Sequence, residues 1–90
     1  MTAPEFQPEP HPVRWRDPHL STREREVLLA WVTCDSKTLV AKRLYLSVGT
    51  VNTHITRIRA KYDAVGRNAS TKAALVARAL QDGLIELDAL

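Results

Sequence analysis

All five prolines of this chain fall within residues 1–18, at Pro4, Pro8, Pro10, Pro12 and Pro18, and none follows. Proline fixes φ, removes a backbone donor and favours extended chain. Residues 1–19 are therefore expected to form a Pro-rich linker or tail, while everything from Leu20 onward is free to be helical. Trp15, inside Arg14-Trp15-Arg16, has enough surface to pin that tail against a domain; an exposed ring with no role of its own is the simpler alternative.

The remaining segment is punctuated as helices. Ser21-Thr22-Arg23-Glu24 fits a capping box, in which the Ser21 hydroxyl accepts from the Glu24 amide and Glu24 reaches back. That helix runs to about Val32, with Val27, Leu28 and Trp31 on one face and Leu20 at its entry. Asp35 or Ser36 can cap a short second helix carrying Leu39, Val40, Ala41 and Leu44, and Ser47 can cap a third. Gly66 marks the next loop, Ser70 or Thr71 opens a fourth helix, and Gly83 ends it. The expected fold is all-α, a four-helix bundle over residues 20–85, with an extended Pro-rich tail before it and residues 86–90 as a C-terminal tail. A chain of 90 residues makes one small domain, burying about 60% of its unfolded surface.

Within the third helix, Val51, Ile55, Ile58 and Tyr62 recur at steps of four, three and four, the spacing of one buried stripe. The other side carries Thr53, Thr56 and Arg57, flanked by Asn52, Arg59 and Lys61, and no acid interrupts it up to Tyr62. A helix apolar along one face and basic-polar along the other, entered by a short turn from a preceding helix, suits a DNA major groove. Gly49 and Thr50 after the Ser47 cap are small enough for a phosphate to approach the amino end. Charge agrees: residues 37–67 hold Lys37, Lys42, Arg43, Arg57, Arg59, Lys61 and Arg67 against Asp63 alone, a net of +6 in a chain whose total is +3. Such a concentration is the footprint of phosphate neutralisation. Lys37, Lys42 and Arg43 on the second helix serve either as phosphate contacts or as plain solvated charge.

From Ala73 to Leu80 only Arg78 is polar. Ala73, Val76, Ala77 and Leu80 make one stripe, and Leu75 and Ala79 lie away from it. A helix apolar beyond one stripe buries two surfaces, one on its own domain and one on a partner. The expected partner is a second copy, with Leu75, Val76, Ala79 and Leu80 as candidate dimer residues. Alanines lying at the surface for their helix propensity are the alternative.

Taken together, Leu20-Ser-Thr-Arg-Glu-Arg-Glu-Val-Leu28, Leu46-Ser-Val-Gly-Thr-Val-Asn-Thr-His54 with Ile55, and Arg57-Ile-Arg-Ala-Lys61 resemble the LuxR/NarL-type (GerE-like) helix-turn-helix domain of bacterial transcription regulators. The resemblance covers about residues 20–85. It implies that the second and third helices form the helix-turn-helix, that a recognition helix of about residues 47–62 lies in the major groove, and that the fourth helix makes a homodimer on paired half-sites. It places base reading on Asn52, Thr53 and Thr56, and phosphate contact on Ser47, Thr50 and the surroundings of Arg57 and Lys61, which include Arg59. It also implies a receiver domain before the linker, as in two-component response regulators, and possible engagement of RNA polymerase; the chain would then be a stand-alone regulator or an excised output domain. Several positions depart from the family pattern. Asn52 replaces a usual lysine, shifting the favoured contact from guanine toward adenine. Leu39 replaces a glutamate, Tyr45 and Cys34 replace turn glycines, and Asp63–Gly66 resembles a lengthened loop.

Two other readings fit the same pattern. A sigma-factor promoter-reading domain uses a similar pattern but needs no dimer surface, and a protein-interaction adaptor could keep the fold and lose DNA binding. Cys34 is the only cysteine, which rules out an intrachain disulfide and a cysteine cluster for zinc. His11, His19 and His54 form no metal-ligand spacing, and His54 sits at the edge of the apolar stripe. Neither a Gly-rich phosphate loop nor a nucleophile with a supporting base is present, so no enzyme and no cofactor are expected. No apolar run approaches the roughly 18 residues of a membrane helix, and no signal pattern opens the chain, so the expected location is cytoplasmic.

Overall fold

The structure, a computed structural model, describes residues 15–90. Residues 1–14, with most of the Pro-rich tail and His11, lie outside the described residues. The described residues are all-helical: α1 (Thr22–Thr33), α2 (Lys37–Leu44), α3 (Val48–Ala64) and α4 (Lys72–Gln81), followed by a 3₁₀ turn at Leu87–Ala89. Helix α1 packs against each of the other three, and α2 packs on α3.

Each helix begins at a hydroxyl that satisfies an otherwise orphaned amide. Ser21 Oγ accepts from Glu24 N at 3.0 Å while Glu24 Oε1 accepts from Ser21 N at 2.8 Å, completing the capping box. Ser36, Ser47 and Thr71 accept from Leu39, Thr50 and Ala74 amides in the same way. Three of the four ends share one pattern, while α1 ends on extended Cys34, whose amide donates to Trp31 O at 3.5 Å. Leu46 N donates to Ala41 O, Arg67 N to Tyr62 O and Leu84 N to Ala79 O, each at 2.9 Å. That five-residue wrap requires a left-handed residue just before its donor, supplied by Tyr45 (φ 57), Gly66 (φ 74) and Gly83 (φ 69).

The core is assembled from Val27 and Leu28 of α1, Val40 and Ala41 of α2, the complete Val51, Ile55, Ile58 and Tyr62 stripe of α3, and Leu75 and Ala79 of α4. This corrects the fourth-helix expectation in part. Leu75 and Ala79 are 0% exposed within the single chain, so both are committed to its own interior and cannot meet a partner. Val76 and Leu80 remain half-buried and Ala73 is exposed on the other side. A second correction concerns α3, which continues through Asp63 and Ala64 because the first left-handed break is Gly66. Asp63 and Ala64 are therefore helix rather than extra loop.

The end of the tail is strapped to the domain. Arg67 is only 5% exposed, and its guanidinium carbon lies 5.3 Å from the Trp15 ring centroid and 5.0 Å from that of Tyr62. Arg67 Nη1 donates to Arg16 O at 2.8 Å, and Nη2 donates to Asp82 Oδ1 at 2.7 Å and Gln81 Oε1 at 3.2 Å. Tyr62 Oη donates to the other Asp82 oxygen at 2.8 Å. Burial, reinforced by the hydrogen bond to Asp82 and its charge, pushes the Tyr62 phenol well above its ordinary range. Trp15 thus holds its segment against the domain through a shared arginine.

Candidate nucleic-acid interface

Helix α2, the turn Tyr45–Ser47 and helix α3 form a helix-turn-helix. Because Val51, Ile55, Ile58 and Tyr62 face the core, a rotation of 100° per residue sets Gly49, Thr53, Thr56, Arg57 and Ala60 outward, all of them exposed. Asn52 is exposed beside this strip, and Ser47 and Thr50 are exposed at its amino end. The structure thus brings the three expected base-reading residues, the Ser47 cap and Arg57 onto one continuous surface. Asp63 falls on the Asn52–Thr56 side, so the acid-free length of the surface ends where the last turn of α3 begins.

Two of the polar groups on this surface are already engaged. Ser47 Oγ caps the helix through Thr50 N and donates to Thr50 Oγ1 at 3.0 Å. Thr53 Oγ1 donates to Gly49 O, one turn back, at 3.0 Å. Gly49 itself has no internal reason to be glycine: a Cβ there would meet only Ser47 Oγ, at 3.8 Å. Its conformation is ordinary, so the missing side chain leaves open space on the outward face.

The remaining cations divide into free and committed ones. Arg57, Lys42 and Arg43 are exposed. Lys37 is half-buried with Nζ 5.6 Å from the Trp31 ring centroid, and Lys72 Nζ lies 4.1 Å from the same centroid. Arg59 is half-buried at the margin of the apolar stripe. Lys61 has turned inward: Nζ donates to Glu24 Oε1 at 2.6 Å and to His19 O at 3.4 Å. Its partner Glu24 is 5% exposed. Burial alone would raise that carboxyl, but the Lys61 ammonium and the Ser21 hydrogen bonds outweigh it and hold the pKa below its ordinary value of 4.5. Arg59 and Lys61 each adjoin a stripe residue in sequence, and a helical wheel places them at the two edges of the surface rather than its centre.

The turn has its own features. Tyr45 adopts φ 57, ψ 45 with its side chain 95% exposed. Leu39 and Val48 are also large exposed apolar side chains on the two helices of the motif. His54 is half-buried, and no group of His, Cys, Asp or Glu among the described residues is arranged to hold a metal ion. No helix among them is long and apolar enough to cross a membrane.

No curated protein and no solved structure matches the chain. A family model does: residues 18–74 match GerE, described as bacterial regulatory proteins, luxR family. The match spans α1, the helix-turn-helix and the start of α4. With the capping box, the buried stripe and the polar outer strip in place around it, the chain belongs to the luxR family of bacterial regulatory proteins and carries that family's DNA-binding helix-turn-helix.

Proposed function

We propose that the chain binds double-stranded DNA sequence-specifically by laying the outer strip of α3 in the major groove. The observation that carries this reading is the continuous exposed surface of Ser47, Gly49, Thr50, Asn52, Thr53, Thr56 and Arg57, free of acid and backed by a fully buried stripe. Asn52 and Thr56 offer short polar groups to base edges, and Arg57, Lys42 and the amino end of α3 at Ser47 and Thr50 hold phosphates. Arg59 and Lys37 are secondary phosphate contacts. Lys61 contributes least, since its ammonium is already paired with Glu24.

A homodimer on paired half-sites fits this role, formed through the half-buried Val76 and Leu80 of α4 rather than Leu75 or Ala79. A receiver preceding Trp15 would make the domain the output module of a two-component response regulator, acting on RNA polymerase at a promoter in the cytoplasm.

A gel-shift titration across salt tests the central reading. Affinity should fall steeply between 50 and 200 mM salt, a range over which ~6–10 phosphate contacts cost ~10³–10⁵ in affinity. Arg57→Ala should weaken all sequences alike and lower the salt slope by about 1. A flat response to salt would instead favour the adaptor reading, in which the fold binds protein.

A further inference from the structure

The proposed interface holds two outward threonines that are not equivalent. Thr53 lies opposite the buried stripe, at the centre of the strip, and its hydroxyl donates to Gly49 O at 3.0 Å. Thr56, one turn on, makes no such bond among the described residues and keeps its hydroxyl proton for a ligand. A threonine has one proton to give, so Thr53 cannot donate to guanine O6 or N7, adenine N7 or thymine O4. The bond also restricts χ1 of a β-branched side chain, and with it the directions open to the γ-methyl. One turn back on the same line stands Gly49, whose Cβ position is open apart from Ser47 Oγ at 3.8 Å.

The geometry points to Thr53 as an apolar specificity determinant that reads the C5-methyl of a thymine rather than donating a hydrogen bond to a base. The inference rests on the major-groove reading proposed above and narrows its ligand. The thymine C5-methyl is the one hydrocarbon group that a base pair displays in the major groove, and a threonine methyl is a suitable partner for it. Gly49 adds room for that methyl to seat against the helix backbone. Beside it, Asn52 is exposed and can pair bidentately with adenine. The preferred half-site therefore contains a thymine within reach of Thr53.

The test uses the DNA that the chain itself enriches from a random pool. In that DNA each thymine is replaced in turn by deoxyuridine, which removes only the C5-methyl. One position per half-site should lose about fourfold in affinity, the value of one buried methyl-sized group. Thr53→Ser keeps the bond to Gly49 and loses the methyl; it should bind the parent DNA about fourfold more weakly and be indifferent to uracil there. Thr53→Val keeps a methyl and loses the hydroxyl, and should retain both affinity and uracil sensitivity. Circular dichroism of both variants separates these effects from any loss of helix. Uracil without effect at every position, or Thr53→Val as damaging as Thr53→Ser, would overturn the inference while steep salt dependence left the groove-binding reading standing. Failure to enrich any sequence would overturn both.

Discussion

At the scale of single residues, the chain spends charge and conformation on its own fold in places where function would have been the obvious use. Lys61 sits in the stretch richest in positive charge, yet its partner lies 37 positions back in sequence, inside a capping box. That box was legible, because Ser21 and Glu24 carry the required spacing. The second role of Glu24 was not, because nothing local says which side chain will cover a carboxylate that α1 turns inward. Replacing Lys61 by methionine should cost about 1–2 kcal/mol at neutral pH, since it strands a buried carboxylate whose partner was partly exposed. The sign with pH follows from the depressed Glu24 pKa. The stabilisation is present above its ordinary value of 4.5 and is lost as pH falls through the lower folded value. Urea melts of parent and Lys61→Met should differ most near neutral pH and converge as pH falls through the lowered Glu24 value; a gap independent of pH would remove the assignment. Tyr45 is the converse case. Its departure from a turn glycine was visible in the sequence, and the backbone adopts φ 57 regardless. The Leu46–Ala41 wrap enforces it, at a cost of about 1–2 kcal/mol for a side chain in that region.

At the scale of elements, caps and stripes were readable and faces were less so. Ser47 and the Val51–Tyr62 stripe sit where their spacing places them, because a 3.6-residue period and a hydroxyl cap are local properties. The last turn of α3 was missed because Asp63–Val65 carries no breaker, and only Gly66 allows the chain to turn. In α4 the composition announced two apolar sides without naming the inner one. Leu75 and Ala79 form one line and Val76 and Leu80 another, both at four-residue spacing, and docking on α1 decides between them. The two lines should respond differently to charge. Leu75→Glu should unfold the domain, since it buries an unpaired carboxylate in the core. Leu80→Glu should leave the thermal midpoint nearly unchanged and convert any dimer to monomer in sedimentation. A parent chain that is monomeric both free and on DNA would remove the α4 interface from the proposal.

At the scale of the whole molecule, the charge partition was correct as a sum and incomplete as a map. Of the seven cations between residues 37 and 67, Arg67 is buried against Asp82 and Lys61 is paired with Glu24. The outward positive field is therefore smaller than +6 and centred on Lys42 and Arg43 of α2 and on Arg57 in the middle of α3. The proline boundary was similarly approximate. Residues 15–19 belong to the domain surface by contact, though their composition matches the tail, because Trp15 and two backbone carbonyls find partners more than 40 residues away.

That strap has a consequence in time. Its closing contacts join Arg16 to Arg67 and His19 to Lys61, separations of 51 and 42 residues, whereas the helices themselves form through contacts between neighbours in sequence. Distant closures carry the larger loop entropy and form late. They also open first, as a small cooperative unit below the free energy of global unfolding. Native-state hydrogen exchange should therefore find the His19 amide exchanging through an opening that leaves Ile55 and Ile58 protected. Trp15→Ala should speed the first without touching the second. If all three amides exchanged with one free energy, the strap and the bundle would be a single unit. On the expected result, the junction at Trp15 works as a latch with its own lifetime, opening and closing while α3 stays folded.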